Sequence, residues 1–259
     1  MKIKSLLKKL LIKTNVLETF TMDDVTYKVI DKTSIAPNIK NSRHLCFKKD
    51  EHIYTHSSIY INPKYYFQPI LSIPQKVISE WSKSYSLNSA LILGCAGCSI
   101  PRFIGLKYPE SKIVGVEISE KLIEIAKKHF LLDQIKNQFK LIQGDAINYV
   151  KNYNLDYKQS FIYVDIFCEN KIISDVFTES FINASYSNTA EDGIIIINIL
   201  AENIDEVKAF FNELKAPFKN IFAVKQGNAQ FLILTKTTNP EKEDNFINNL
   251  KAIKDVTIF

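Results

Sequence analysis

The pattern of apolar and polar residues changes near Ser89, where a regular succession of strand and helix patterns begins. Short apolar runs predict five strands, which are Ala90–Leu93, Ile113–Ile118, Phe139–Gln143, Phe161–Ile166 and Gly193–Leu200. Apolar residues at helical spacing predict helices at Ile73–Tyr85, Ile100–Tyr108, Glu120–Phe130, residues 172–188 and Ile204–Leu214. Repeated strand–helix units favour a mostly parallel sheet with helices on both faces, whose ligands bind beyond the carboxyl ends of the strands.

Two further strands, Asn220–Lys225 and Gln230–Thr235, are separated only by the turn Gln226-Gly227-Asn228. A turn this tight joins antiparallel neighbours. The wholly apolar strand Gly193–Leu200 is expected in the middle of the sheet. The predicted fold class is therefore α/β: a Rossmann-like, doubly wound, mostly parallel seven-stranded sheet with an antiparallel last strand.

The region before Pro74 has a different texture, rich in Thr, Ser, Tyr and Asn. It predicts short strands at Val25–Ile30, Arg43–Phe47 and His52–Ile61, separated by turn-prone stretches such as Ala36-Pro37-Asn38. We therefore expect two domains: residues 1–75, with an N-terminal helix and a small β-rich subdomain, and residues 76–259, a larger ligand-binding domain.

The first fifteen residues are basic and rich in leucine, with Leu6, Leu7, Leu10 and Leu11 at helical spacing. Lysines interrupt the apolar run and no small-residue cleavage site follows, so a secretory signal is not predicted. A short amphipathic helix that packs on the domain or on a neighbouring subunit is the simpler interpretation. A helix lying on a membrane surface is the alternative.

Composition narrows the class of protein. Hydrophobic residues make up 46% of the chain and charged residues 24%, which is typical of a globular domain. The net charge of +5 is spread along the chain, so it gives no nucleic-acid signature. No apolar run approaches the roughly 18 residues of a membrane span. Four scattered cysteines favour free thiols in a reducing cytoplasm, so we expect a cytoplasmic protein without a membrane or nucleic-acid partner.

The loop Gly94–Ser99 carries the strongest chemical signal, because it follows the first strand directly and opens a helix. Its glycines allow the backbone to turn sharply and to approach a ligand closely. The helix after it offers free N–H groups and a positive dipole end. Gly94, Cys95, Ala96 and Gly97 are therefore predicted to bind a cofactor. A tight turn without a ligand is the alternative.

Three carboxylates follow successive strands and complete the predicted site. Glu117, with its neighbour Ile118, is placed to accept hydrogen bonds from ribose hydroxyls. Asp145, with Ala146, can accept from an adenine amino group. Asp165 rises from an apolar strand as a candidate base or amine ligand. The alternatives are a helix-capping Glu117, an Asx turn at Asp145 and a structural Asp165.

The pair Cys95-x-x-Cys98 lies in the same loop. It could form a redox pair or half of a metal site. No second cysteine pair exists in the sequence and no histidine lies near it, so no metal site is predicted. Small fillers of a tight turn are the preferred interpretation.

The ordered motifs resemble the spermidine synthase family of aminopropyltransferases, and especially its spermidine-synthase-like branch. Arg43–Phe47 resembles the family's R-x-L-x-F strand, and His56-Ser57-Ser58 stands where the family usually has Gln-Ser. Gly94–Ile104 is similar to the branch pattern G-x-G-G-G-S-L-x-R-F-L. The other matching segments, in order, are Val116–Ile118, Ala126–Phe130, Gly144–Ala146, Val164–Phe167, Gly193 to Asn198 and Gly227-Asn228. The resemblance implies an S-adenosylmethionine-type cofactor and a homodimer or homotetramer.

The departures from the family pattern bear on the transferred group. Spermidine synthases have an acid where this chain has Gly97, and that acid suits a decarboxylated cofactor. The second acid of their D-S-S-D-P motif corresponds to Cys168, and Glu169 is displaced from it by one position. An amine must lose a proton before it attacks, so losing one of two carboxylates weakens that chemistry.

The sequence therefore favours methyl transfer from S-adenosylmethionine to an unknown small acceptor, with Asp165 orienting or deprotonating the acceptor. The second hypothesis is aminopropyl transfer from decarboxylated S-adenosylmethionine to a polyamine-like amine. The third is a non-catalytic homologue that binds an adenosyl ligand. The residues expected to line the acceptor site are Tyr65, Tyr66, Gln68, Phe167 and Glu169.

Overall fold

A computed structural model gives the structure of the chain. It describes residues 12–34, 39–49, 51–65, 67, 73–152, 157–168, 171–172, 174–199, 207, 209–210, 218, 220–226, 229–253 and 257–258. The predicted N-terminal helix at Leu6–Leu11 and the turn Ala36-Pro37-Asn38 lie outside these residues.

A four-stranded antiparallel sheet forms the N-terminal part. Its strands, in sheet order, are β1 (Ile12–Met22), β2 (Val25–Ser34), β3 (Ser42–Lys49) and β4 (His52–Tyr60). Asp23 and Asp24 both have left-handed backbone conformations, with φ of 49° and 61°, and this pair of residues turns β1 tightly into β2. The three predicted strands are confirmed, and β1 is an additional strand that the sequence pattern did not indicate.

The larger sheet contains eight strands in the described residues. Their bounds are β5 (Ser89–Leu93), β6 (Lys112–Glu117), β7 (Phe139–Gln143), β8 (Gln159–Val164), β11 (Thr189–Asn198), β12 (Asn220–Gln226), β13 (Ala229–Thr235) and β14 (Thr257–Ile258). A separate two-stranded hairpin consists of β9 (Phe167–Cys168) and β10 (Lys171–Ile172).

The strand order of the large sheet is β14-β12-β13-β11-β8-β5-β6-β7. Strands β5 to β8 and β11 pair in parallel, whereas β13 is antiparallel to both β11 and β12. The predicted Rossmann-like sheet, with its antiparallel end, is confirmed. The two-residue β14 adds an eighth strand to the seven that were predicted.

The helices surround this sheet. The α-helices that the structure describes over their full length are α1 (Ile73–Trp81), α2 (Ser99–Lys107), α3 (Glu120–His129), α4 (Ala146–Asn152), α5 (Glu179–Asn188) and α6 (Pro240–Lys251). The Ser119 hydroxyl accepts a hydrogen bond from the Leu122 N–H, which confirms Ser119 as the N-cap of α3. Only part of the helix predicted at Ile204–Leu214 lies among the described residues.

The helix predicted over residues 172–188 is wrong in its first part. Residues 171–172 pair with β9, and a 3₁₀ turn follows at Ser174–Phe177. The Thr178 hydroxyl then accepts from the Phe181 N–H, so the α-helix begins only at Glu179. Helix α6 was not predicted, although Asn239 caps it and Pro240 occupies its first turn.

Alternation along the strands divides the core between the two faces of the sheet. Ala90 and Ile92 of β5 belong to one buried cluster, and Leu91 and Leu93 belong to the other. The first cluster continues into the N-terminal sheet through residues such as Leu45. This continuous core seats the small sheet beside the carboxyl ends of the parallel strands. The division at residue 75 stays a prediction.

Within the described ranges, no helix is long and apolar enough to cross a membrane.

Candidate active site

The loop after β5 is held in place by a buried carboxylate. One oxygen of Glu117 accepts hydrogen bonds from the N–H groups of Cys95, at 3.1 Å, and Ala96, at 2.8 Å. The other accepts from the Ser119 N–H at 3.0 Å. Glu117 is only 6% exposed, so it organises the loop and the start of α3 together. A carboxylate offers about four lone-pair sites, so these three bonds leave capacity for a ligand hydroxyl.

Gly94 allows the loop to meet the end of the neighbouring strand β8. Its φ is +85°, a conformation that favours glycine. A Cβ at this position would lie 2.2 Å from the carbonyl oxygen of Asp165. The predicted loop residue and the predicted base are therefore brought together.

Gly97 has a different role, because strand β4 of the N-terminal sheet packs directly against it. Its N–H donates to the Ser57 hydroxyl at 3.0 Å, and the Ser58 N–H donates to the Ser99 hydroxyl at 3.2 Å. A Cβ on Gly97 would lie 2.6 Å from the Ser57 Cβ and 2.8 Å from the ring of Phe130. Packing by β4 thus leaves no space for the acid found at this position in spermidine synthases.

A cavity opens between β4, this loop and the ends of the parallel strands. Its empty space is about 530 Å³, counting the part that is open to solvent. Its walls are residues 55–58, the loop residues 94–96, the helix start at 99–101, and Ile92, Tyr163, Asp165 and Asn198.

Asp165 is the acidic side chain of this wall, and its surroundings favour proton exchange. Burial raises its pKa from 3.8 to about 6, although hydrogen bonds from Asn198 and Tyr163 oppose that shift. The Asn198 amide donates to Asp165 Oδ1 at 2.8 Å. The negative charge of Glu117 raises the pKa further. A carboxylate with a pKa near 6 can accept a proton at neutral pH.

Tyr163 lies behind this carboxylate at 4% exposure. Burial, and then the charge of Asp165, raise the pKa of its phenol well above the usual value of 10. Its hydroxyl therefore stays protonated and acts as a donor.

Other predicted cofactor residues lie outside the cavity wall. Asp145 accepts from the Asn148 N–H, three residues on, at 2.9 Å and so caps the start of α4. Ala146 is buried, whereas Ile118 is 69% exposed. Their roles toward a cofactor stay predictions.

The two predicted acceptor residues that the structure describes, Tyr65 and Phe167, do not line the cavity. The Tyr65 ring contacts the Lys40 ammonium, 3.9 Å from its centroid. Phe167 packs against the second core cluster. Tyr66, Gln68 and Glu169 lie outside the described residues, so their roles stay predictions.

The two loop cysteines are buried. The Cys98 N–H donates to the Cys95 carbonyl across a tight turn, and Cys98 adopts a left-handed conformation with φ of 55°. Burial, and then Cys98, raise the pKa of the Cys95 thiol well above its usual value. These contacts agree with small side chains that fill a turn.

His56, Tyr163 and Asn198 are among the cavity residues that the predicted site does not include. Asn198 had a readable signal, since a polar residue ends an apolar strand. The likeness of His56-Ser57-Ser58 to a family motif marked β4, but it did not place His56 opposite the cofactor loop.

Comparisons with known proteins agree with this geometry. Residues 83–240 match the family model described as the spermine/spermidine synthase domain. A polyamine aminopropyltransferase of Vibrio vulnificus is 28% identical over 152 residues, which are 58% of this chain and 50% of the relative. An uncharacterized protein of Methanocaldococcus jannaschii is 27% identical over 190 residues, 70% of this chain and 46% of the relative. The chain thus spans about half the length of these curated relatives.

Solved structures share the fold. A Corynebacterium glutamicum protein described as a "probable spermidine synthase" gives a TM-score of 0.69 at 13% identity, covering 94% of this chain and 90% of the other. A spermidine synthase in complex with the transition state analogue AdoDATO gives 0.58 at 15% identity, covering 93% and 78%. At these identities the likeness shows the fold alone.

Proposed function

This chain belongs to the spermine/spermidine synthase family, and on that premise we propose that it transfers an aminopropyl group from decarboxylated S-adenosylmethionine to a small amine. The family model and the aminopropyltransferase relative support this alternative. They do not support methyl transfer, which the loop sequence had favoured.

The observation that carries the proposal is the position and state of Asp165. The carboxylate faces the cavity beside the cofactor loop, and Asn198 and Tyr163 fix its orientation. An amine acceptor is protonated at neutral pH and must become neutral before it can attack. Asp165 is placed to take that proton, and its pKa near 6 suits the transfer.

The residues present fit an adenosyl cofactor. The loop residues 94–96 line the cavity, and Glu117 retains acceptor capacity beside them. The bound cofactor supplies a carbon attached to a positively charged sulfur, which is already electrophilic. The chain's own task is to hold that group and the amine in line and to remove the proton.

Gly97 and Cys168 still distinguish this chain from typical spermidine synthases. The crowding by Ser57 and Phe130 gives a packing reason for the glycine at position 97. The missing acid at position 97 is therefore weaker evidence for a cofactor with an intact carboxyl group than it is from the sequence alone. In this proposal Asp165 alone accepts the proton. The aminopropyl group is transferred to a small amine, which the assay must identify.

Calorimetry with the two forms of the cofactor tests the proposal. We expect decarboxylated S-adenosylmethionine to bind about tenfold more tightly than the intact form, or about 1.4 kcal/mol. Equal affinities, or a preference for the intact form, would contradict aminopropyl transfer. Absence of binding by both forms at millimolar concentration would favour the non-catalytic hypothesis.

The variant Glu117→Ala tests the cofactor site itself. It removes the acceptor of two loop N–H groups and of the Ser119 N–H, together with the acceptor predicted for the ribose. We expect affinity for the cofactor to fall by about tenfold or more. Glu120→Ala, an exposed change in the first turn of α3, is the matched control and should bind normally.

A further inference from the structure

His56 is a titratable side chain of the cavity with no role so far. It lies on β4 and lines the same cavity as the loop residues 94–96 and Asp165. The rings of Phe47 and Tyr27 support it at centroid distances of 6.0 Å and 6.4 Å. Strand β4 is held to the loop through Ser57 and Ser58, so the imidazole has a defined position.

The groups around His56 set its charge. The titratable side chains that face it or share its cavity are Glu117 of β6, Asp165 and Tyr163 at the end of β8, Tyr27 of β2 and Cys95 of the loop. Shielding from water by the surrounding protein lowers the pKa of the imidazole below 6.5, while the charge of Glu117 opposes that shift. The ring is therefore neutral at neutral pH.

The charge of this ring matters because the proposed cofactor is a cation at sulfur. A neutral imidazole adds no repulsion to a cavity whose carboxylate, Asp165, attracts positive charge. A protonated imidazole in the same partly shielded space would oppose a cation strongly, because charges interact more strongly there than in water.

We propose that His56 determines the charge selectivity of the cofactor cavity: its neutral form admits a sulfonium ligand, and its protonated form repels one. This inference rests on the proposed function, since it takes the ligand to be an adenosyl sulfonium. It makes His56 a specificity-determining residue, which discriminates a ligand with a positively charged sulfur from the matched thioether with an uncharged sulfur.

Two groups then act in the same direction at acid pH. His56 gains a positive charge and Asp165 loses a negative one, so both changes weaken binding of a cation. Both changes weaken the binding of a ligand with an uncharged sulfur to a smaller extent. The ratio of the two dissociation constants, sulfonium over thioether, should therefore rise as the pH falls.

The test measures dissociation constants by calorimetry between about pH 8 and about pH 5, the range in which histidine titrates. The probes are decarboxylated S-adenosylmethionine and the corresponding thioether that lacks the sulfonium methyl group. In the unmodified protein the ratio should rise by up to about tenfold for each pH unit below the pKa of a controlling group. In His56→Gln the ratio should rise less as the pH falls, because only the protonation of Asp165 then contributes to the rise.

His52→Gln is the matched control, because His52 lies on the same strand but outside the cavity wall. It should behave like the unmodified protein. A second variant, His56→Lys, places a permanent cation at the site and should weaken sulfonium binding at every pH more than thioether binding. Circular dichroism checks that each variant is folded.

An unchanged pH dependence of the ratio in His56→Gln would overturn the inference, as would equal losses for both probes in His56→Lys. The proposed function fails separately, through a preference for intact S-adenosylmethionine. In that case the same comparison, made with S-adenosylmethionine and S-adenosylhomocysteine, decides the role of His56.

Discussion

Asp165 combines three properties at the scale of a single residue. It ends a buried parallel strand, it faces a cavity, and its pKa is raised to about 6 by burial against opposing hydrogen bonds. Each property follows from the strand that leads to it, since Phe161–Val164 are buried and place the carboxylate at the edge of the sheet.

Replacing Asp165 tests its role as the proton acceptor. We expect Asp165→Asn to lower the turnover number by about 10²–10⁴-fold, the usual contribution of a general base. Formation of the thioether product from decarboxylated S-adenosylmethionine gives the rate. Asp244→Asn, an exposed change on α6, is the control. A variant at position 165 that kept more than a tenth of the activity would exclude this role.

The pH dependence of transfer follows from the same carboxylate. A base must be ionised to accept a proton, so the rate should rise with pH through about 6. The Asn198 hydrogen bond lowers the pKa of Asp165, because it stabilises the ionised form. Asn198→Ala should therefore move the acid limb of the rate profile to higher pH. A limb that stays in place would mean that another group controls it.

At the scale of elements, the site depends on how β4 rests on the loop that opens α2. Ser57 accepts from Gly97 and occupies the space where a side chain would lie. Two contacts therefore fix the loop: Glu117 accepts hydrogen bonds from its N–H groups, and β4 packs against Gly97.

The variant Gly97→Asp restores the acid of spermidine synthases and tests this packing. We expect it to lose about 1–3 kcal/mol of unfolding free energy through overpacking against Ser57 and Phe130. Urea unfolding measures the loss. The double variant Gly97→Asp with Ser57→Gly should recover part of it. Full stability of the single variant would contradict this prediction, because it would mean that β4 moves to make room for the new side chain at little cost in free energy.

A charged contact joins β1 to α3 on the same side of the molecule. Glu18 meets Lys128 at 2.8 Å and His129 at 2.7 Å, and Arg43 donates to the His129 carbonyl at 2.5 Å. Hydrogen bonds from Lys128 and His129 lower the pKa of Glu18 from 4.5 to about 2. Its folded pKa is depressed, so its contribution is present above about 4.5 and is lost as the pH falls toward 2.

Glu18→Gln should therefore lower the unfolding free energy by about 1 kcal/mol at neutral pH, the upper range for partly exposed ion pairs. The difference from the unmodified protein should vanish in acid. Glu124→Gln removes a carboxylate that pairs with Lys121 of the same helix, and it should cost less. A Glu18 effect that does not change with pH would point to packing as its source.

At the scale of the whole molecule, local patterns predicted the large sheet well. Apolar runs indicated the parallel strands, and the tight turn after Lys225 indicated the antiparallel end. The predicted loop and Asp165 lie where parallel strands end, and the structure brings them together.

Local patterns failed where contacts distant in the chain decide the structure. The wall formed by His56–Ser58 packs against a loop about forty residues away, and no periodicity encodes that contact. The predicted helix at 172–188 failed for a related reason, since pairing between residues 167–168 and 171–172 competes with helix formation. Strand β1 is largely exposed and lacks a clear alternating pattern.

Direct detection of the transferred group tests the central claim most plainly. The purified protein is incubated with decarboxylated S-adenosylmethionine and a set of small amines, and mass spectrometry follows both products. The account predicts 5′-methylthioadenosine together with an amine that is heavier by one aminopropyl unit, and loss of both products in Asp165→Asn. A methylated acceptor formed only from intact S-adenosylmethionine would contradict it.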